Sequence, residues 1–146
     1  MKKRILIVGG VAGGATAAAR VRRLAADAEV IMFERGSHVS FSNCSLPYYL
    51  SGTVSDSEKL VMMSPEKFKK SYDIEARVNS EVLSINRGEK TIQVKNLISG
   101  ETYTEAYDKL VLSPGASPVR PRSIVGVDKP HVFTVRNVKD IEALKA

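Results

Sequence analysis

"RILIVGGVAGGATAAARVRRL", residues 4–24, decides the fold. Its opening is a short, continuous apolar run closed by glycine, the pattern of a strand buried on both faces of a parallel sheet. A glycine-rich turn follows at residues 9–14, and a helical pattern then lasts to about Ala26. A second apolar run, "EVIMFER" at residues 29–35, ends in Glu34 and Arg35. Strand, glycine turn, helix and strand over residues 4–35 make one βαβ unit, whose crossover is right-handed.

The turn is built from Gly9, Gly10, Val11, Ala12, Gly13 and Gly14, which is more glycine than packing alone requires. Glycine permits a tight turn and a close backbone approach, and the helix N-terminus adds free N–H groups and partial positive charge. Together they suit a pyrophosphate. Glu34 lies twenty residues beyond Gly14, where an acid accepts hydrogen bonds from both hydroxyls of an adenosine ribose. In G-x-G-x-x-G phasing Val11 takes the middle position, so the motif is imperfect. Its setting between strand and helix, with the spaced acid, points to an adenine dinucleotide. The plainer alternative is a tight turn with Glu34 as a solvated strand end.

Along the helix, 100° per residue groups Ala17, Ala18, Val21, Leu24 and Ala25 on the side that should face a sheet. Thr16, Arg20 and Arg23 fall together on the opposite side. Paired guanidinium groups beside a hydroxyl suit a phosphorylated ligand, but an ordinary wet helix face has the same composition. Arg22 points elsewhere and reads as solvated.

At 146 residues the chain is about one domain long. Its net charge of +6 raises the question of nucleic acid. With few aromatics and no nucleic-acid motif, a solvated basic surface or a phosphorylated small ligand fits better. No apolar run approaches the ~20 residues that span a bilayer, and the start reads as a buried strand rather than a signal peptide. A single cysteine excludes an internal disulfide framework and suits a reducing cytoplasm.

Further along, "SPEKFKKSY" reads as a helix with Ser64 as N-cap, Pro65 at its first position and Glu66 in its first turn. An antiparallel β-meander follows at residues 81–107, with turns at Asn86-Arg87-Gly88 and Ser99-Gly100. "KLVLSPGA", residues 109–116, returns to the parallel sheet, its strand placed at 108–113. From Ser117 the chain is rich in proline and reads as short strands, and "NVKDIEALKA" reads as a helix. The expected division is 1–116, the first part of a nucleotide-binding domain, and 117–146, a link toward a further domain.

The lone Cys44 sits in "VSFSNCSLPYYLSG", residues 39–52. Ser42 or Asn43 can cap a helix starting there, with Pro47 tolerated in its first turn. A thiol at that place meets the positive end of the helix dipole, which favours the nucleophilic thiolate. The alternative is a buried, inert cysteine, against which its polar neighbours argue.

"IVGGVAGGATAAA…RRL", "FE" with Glu34, "SFSNCSLPYY", "SPEKF" and "YDKLVLSPGA" together resemble the N-terminal region of single-cysteine flavoprotein disulfide reductases. Within that family the branch that reduces coenzyme A disulfide, or persulfides and polysulfides, is the nearest. The resemblance runs to "FTVRN". It implies a Rossmann-like α/β domain, here incomplete, that binds FAD on residues 9–14 with the ribose on Glu34 and Arg35 alongside. Ser113, Gly115 and Ala116 are implied in flavin contact, NAD(P)H is the implied reductant, and Cys44 is the implied redox-active residue. Thr16, Arg20, Arg23, Ser40 and Asn43 match the implied coenzyme A contacts, and a basic residue after "PEKF", Lys69 or Lys70, joins them.

The resemblance also separates related chemistries. Two-cysteine reductases carry C-x-x-x-x-C, which this chain lacks. The oxidases and peroxidases of the group carry a histidine in the glycine turn, where this chain has Ala12. An NADH oxidase or peroxidase, or a non-catalytic nucleotide-binding remnant, is the alternative reading. The cytoplasm and the lack of a nucleic-acid or membrane partner rest on the composition read above. The family implies a homodimer of several hundred residues, in which residues 117–146 lead toward a nicotinamide-binding domain. On that expectation the chain is a fragment that binds FAD weakly or not at all and does not turn over NADH.

Overall fold

The computed structural model describes residues 2–145. In chain order it holds β1 (Arg4–Val8), α1 (Ala12–Leu24), β2 (Glu29–Phe33), α2 (Leu46–Leu50), α3 (Pro65–Tyr72) and β3 (Ile74–Arg77). There follow β4 (Ser80–Asn86), β5 (Thr91–Asn96), β6 (Thr102–Ala106), β7 (Lys109–Leu112) and α4 (Val138–Lys145). The chain divides into two compact units, one of Met1–Phe41 with Met63–Pro114 and one of Ser42–Met62 with Gly115–Ala146.

In the first unit four parallel strands pair in the order β3-β2-β1-β7. Alternation along the strands explains why their apolar runs are unbroken. Ile5, Ile7, Val30 and Met32 point to one face, where Ala15 and Ala18 of α1 and Phe68 of α3 cover them. Leu6, Ile31 and Phe33 point to the other, against Ile92 and Val94 of β5. The antiparallel sheet β4-β5-β6 thus buries the face that the helices leave bare. Each such side chain taken from water contributes roughly 1.5–3 kcal/mol.

Four expectations need correction. The strand β3 is absent from the sequence reading, because its four residues alternate Ile, Glu, Ala and Arg on the sheet's edge and form no apolar run. Leu24 is 71% exposed: it ends the helix beyond the reach of the sheet, and Gly14, Ala15 and Ala18 are the buried positions of α1. Arg22 is not solvated. Its Nε donates to Tyr72 O, Nη1 to Ala26 O and Ala28 O, and Nη2 to Asp73 O, each at 2.7 Å. Between residues 117 and 137 there are turns and no strands, because proline and positive-φ Gly126 interrupt any ladder.

The α3 start forms as read: Ser64 Oγ accepts from Lys67 N at 3.3 Å, with Pro65 in the first turn. The two sheets are joined by a charged cluster. Glu105 of β6 pairs with Arg4 Nη2 of β1 at 2.6 Å and with Arg77 Nη1 of β3, and Arg77 lies over the Phe33 and Tyr103 rings. Burial alone would raise the Glu105 carboxyl, but hydrogen bonds from Arg77 and Arg4 outweigh it and hold it below the ordinary range. A depressed folded-state pKa contributes stability above the unfolded value, about 4.3, and loses it as pH falls further. Melting temperature should therefore drop on acidification from pH 6 to pH 3, and Glu105→Gln should shrink that drop. An unchanged acid slope in the variant would remove Glu105 from the account.

In the second unit, Leu46, Leu60, Val127, Val138 and Ile141 are buried. There α4 packs on α2 and on the 3-10 turn Ser57–Leu60. Asn137 and Asp140 cap α4 reciprocally, Asp140 N donating to Asn137 Oδ1 and Asn137 N to Asp140 Oδ2, both at 3.0 Å.

Candidate cofactor and ligand site

The glycine turn separates into positions that packing requires and one that it leaves open. Gly9 sits at φ +93°, and a Cβ there would lie 1.9 Å from Ser113 O. At Gly14 a Cβ would lie 1.7 Å from Gly9 O, and at Gly10 it would meet Val39 Cγ1 at 2.7 Å. Gly13 is different: its Cβ would find only Ser113 side-chain atoms, the nearest at 3.4 Å, an ordinary contact. Protein packing therefore does not account for glycine at position 13. Beside it, α1 starts with no side-chain cap and no acid in its first turn, so the orphan amides and the positive dipole end are left for an anion.

Glu34 stands next to this opening. Its Oε2 accepts from Gly10 N and its Oε1 from Gly36 N, both at 2.8 Å. Each oxygen keeps a further lone-pair site, enough for one hydroxyl apiece, and the two amides fix the carboxylate's orientation in advance. Arg35 follows on the exposed side. Ser113 N donates to Val8 O at 2.8 Å, which sets its carbonyl and side chain against the turn. These residues fit the pyrophosphate and ribose of an adenine dinucleotide.

A cleft of about 270 Å³ lies along the other side of α1. Thr16 and Arg23 of α1 and Ser40 line it, facing Phe68 and Tyr72 of α3. Ser40 is held at φ +48° while its N–H donates to Gly10 O at 2.8 Å. A non-glycine residue in that conformation costs roughly 1–2 kcal/mol, so one hydrogen bond ties a strained serine to the glycine turn. Arg20 is exposed on α1 and does not line the cleft. Lys69 is engaged with Asp73 Oδ1 at 2.5 Å, and Lys70 is exposed.

In the second unit Cys44 is exposed, in a 3-10 turn spanning Asn43–Ser45 that runs into α2. The expected side-chain cap is absent. Ser42 Oγ and Ser45 Oγ bond each other at 2.8 Å instead, so the turn is held by a hydroxyl pair. The same unit holds Gly115, at φ +71°, and Ala116, whose carbonyl accepts from Arg136 Nε at 2.9 Å.

The family profile described as pyridine nucleotide-disulphide oxidoreductase matches residues 3–146. The chain belongs to that family. A coenzyme A disulfide reductase of Staphylococcus haemolyticus is 39% identical over 142 residues, which is 97% of this chain and 31% of the relative. The reduced CoADR-RHD protein of Bacillus anthracis superposes with a TM-score of 0.94 at 49% identity, covering 99% of this chain and 26% of that one. A water-forming NADH oxidase of Lactobacillus brevis gives 0.89 at 34% identity, covering 98% and 31%. The chain thus spans about a third of the length of the curated relatives that it matches. Among the described residues no helix is long and apolar enough to cross a membrane.

For a member of this oxidoreductase family, sequence reasoning missed the aromatic wall of the cleft. Phe68 and Tyr72, with ring centroids 6.3 Å apart, stand four residues apart on one helix. That spacing was the available signal, and it places both on the face toward α1.

Proposed function

We propose that this chain is the first FAD-binding stretch of a cytoplasmic, homodimeric flavoenzyme that uses NAD(P)H to reduce a disulfide or persulfide of the coenzyme A type. Glu34 carries the reading: a carboxylate pre-oriented by Gly10 and Gly36 amides, with a lone-pair site left on each oxygen, beside an uncapped helix and an open Gly13. The orphan amides of Ala12, Gly13 and Gly14 hold the pyrophosphate, Glu34 holds the ribose with Arg35 beside it, and Ser113, Gly115 and Ala116 contact the flavin nucleotide. Val11 completes the turn. FAD, when bound, supplies two-electron transfer between the nicotinamide and sulfur.

Cys44 supplies the nucleophile. Its thiolate attacks one sulfur of the substrate disulfide, the S–S bond breaks, a Cys44 mixed disulfide forms, and the other half leaves as a thiolate that takes a proton. The second sulfur belongs to the substrate, so no partner cysteine is required. Thr16, Arg23 and Ser40, joined by Arg20 and Asn43, bind the phosphorylated end of that substrate. Arginine suits this role because its paired donors match phosphate.

The test is turnover by the enzyme that contains this chain, with coenzyme A disulfide, a persulfide and oxygen compared, together with its flavin content. Glu34→Ala removes the carboxylate and with it two charge-assisted hydrogen bonds from the ribose hydroxyls. At about 1.5–3 kcal/mol for each such bond, flavin affinity should fall at least about tenfold. Full flavin occupancy in the variant would contradict the cofactor assignment, and preference for oxygen over every sulfur substrate would contradict the reaction.

A further inference from the structure

We infer that Arg22 is a positioning residue for the phosphate-ligand cleft, setting the separation of its two walls without touching the ligand. The inference rests on the reading of Thr16, Arg23 and Ser40 as ligand contacts, and it names what holds their cleft open at the right width. One wall is α1, which carries Thr16 and Arg23; the other is α3, which carries Phe68 and Tyr72. Arg22 belongs to the first wall and is absent from the cleft lining. Its side chain is 12% exposed and crosses to the second wall, where Nε donates to Tyr72 O and Nη2 to Asp73 O, both at 2.7 Å.

The same guanidinium fixes the chain that leaves α1. Nη1 donates to Ala26 O and to Ala28 O, again at 2.7 Å. Four of its five N–H donors thus end on backbone carbonyls from three places: the end of α3, the Asp73 cap between α3 and β3, and the turn between α1 and β2. The corner it grips is unusual. Asp73 caps α3 at φ +48° and ψ +41°, its N–H donating to Lys69 O, and the next residue begins β3. A left-handed aspartate at a helix-to-strand corner is a place where α3 could swing. Arg22 removes that freedom through bonds to the two consecutive carbonyls at the swing point.

The planar fork matters more than the charge. Lysine has three donors on one nitrogen and cannot reach carbonyls spread around a guanidinium plane. Arg22→Lys therefore keeps the cation, leaves Arg23 beside it unaltered, and releases the walls. Loss of width should be felt by a ligand that touches both walls, and not by one too short to do so.

The probes are adenosine 3′,5′-bisphosphate, which offers two phosphates and a base, and pantetheine, which offers neither. Binding of both to the flavin-loaded enzyme containing this chain is measured by calorimetry for the wild type, Arg22→Lys, Tyr72→Ala and the double variant, each with its melting curve. The expected result is at least tenfold weaker binding of the bisphosphate by Arg22→Lys, unchanged pantetheine binding, and no added loss when Arg22→Lys is placed in the Tyr72→Ala background. Wild-type affinity in Arg22→Lys, or equal losses for both probes, overturns the positioning role and leaves the ligand reading intact. No bisphosphate binding by the wild type overturns the ligand reading itself. If Arg22→Lys shows no cooperative melt, Tyr72→Ala decides alone, since bisphosphate affinity within twofold of wild type would show that the wall Arg22 holds is not used.

Discussion

Gly14→Ala abolishes the cooperative melt of this protein, and Gly13→Ala, one residue earlier, leaves it within a few degrees of wild type: that is the expected pair of results. At position 14 the new methyl would sit 1.7 Å from Gly9 O and 2.8 Å from Gly9 C. Both are backbone atoms of a turn whose amide is tied to Phe33 O at 2.8 Å, so neither can move without unpairing β1 from β2. A clash of that kind belongs among the rare substitutions that cost about 4 kcal/mol or more. At position 13 the methyl meets only Ser113 side-chain atoms, the nearest at 3.4 Å. Alanine also gains up to about 1 kcal/mol over glycine in a helix, so the folded chain should be as stable or more so. What Gly13→Ala loses is the open surface at the head of α1. Flavin content of the purified enzyme should fall sharply although the melt is intact. A cooperative melt for Gly14→Ala at wild-type temperature would show that the turn is softer than its geometry implies. Full flavin content in Gly13→Ala would move the pyrophosphate elsewhere.

Cys44→Ser is expected to reduce disulfide turnover by about a thousandfold or more while leaving both flavin content and melting temperature where they were. The thiol is exposed, so exchanging sulfur for oxygen disturbs no core, and surface changes of this kind fall within about 0.5 kcal/mol. The chemistry is another matter. A hydroxyl is not ionised at neutral pH and cannot form the mixed disulfide, whereas a thiol supplies a thiolate fraction and an intrinsically strong sulfur nucleophile. The measurement is steady-state reduction of coenzyme A disulfide, paired with mass spectrometry of the enzyme after one equivalent of substrate. The wild type should gain the mass of one substrate half and the serine variant none. Retained turnover in the variant would end the role given to Cys44.

The βαβ core was plain in the sequence because its strands are buried on both faces and therefore unbroken in composition. Residues 4–9 and 29–35 read as strands for the same reason that Leu6 and Ile31 within them sit at 0% exposure. The meander could be read from its turns and the α3 start from Ser64 and Pro65, both local signals. What escaped was set by partners far along the chain. The edge strand β3 owes its state to pairing with β2, which compensates for a sequence half charged. Arg22 looked solvated because helix periodicity knows nothing of the carbonyls of Tyr72 and Asp73, some fifty residues away.

The site divides along the same line. Thr16, Arg23 and Ser40 share a cleft, and the two α1 members were grouped by angle alone, but the third comes from a loop and could be added only by resemblance. Arg20 satisfied the same angular test and lies outside the cleft, because 100° per residue gives a direction and not the height of the opposite wall. The aromatic wall required knowing where α3 docks. At Cys44 the capping pattern was misleading: serine hydroxyls that could have met backbone amides found each other first.

One feature of the sheet governs how the molecule is made. The strand β1 lies between β2 and β7, and its register pairs Ile5 with Lys109 and Leu6 with Leu110. A ribosome delivers the first member of that pair about a hundred residues before the second. Throughout that interval one border of the nascent sheet has bare amides and carbonyls, the kind of template on which other chains assemble. Synthesis of this protein therefore passes through an obligatory sticky stage, and the speed at which residues 109–112 emerge governs how long it lasts.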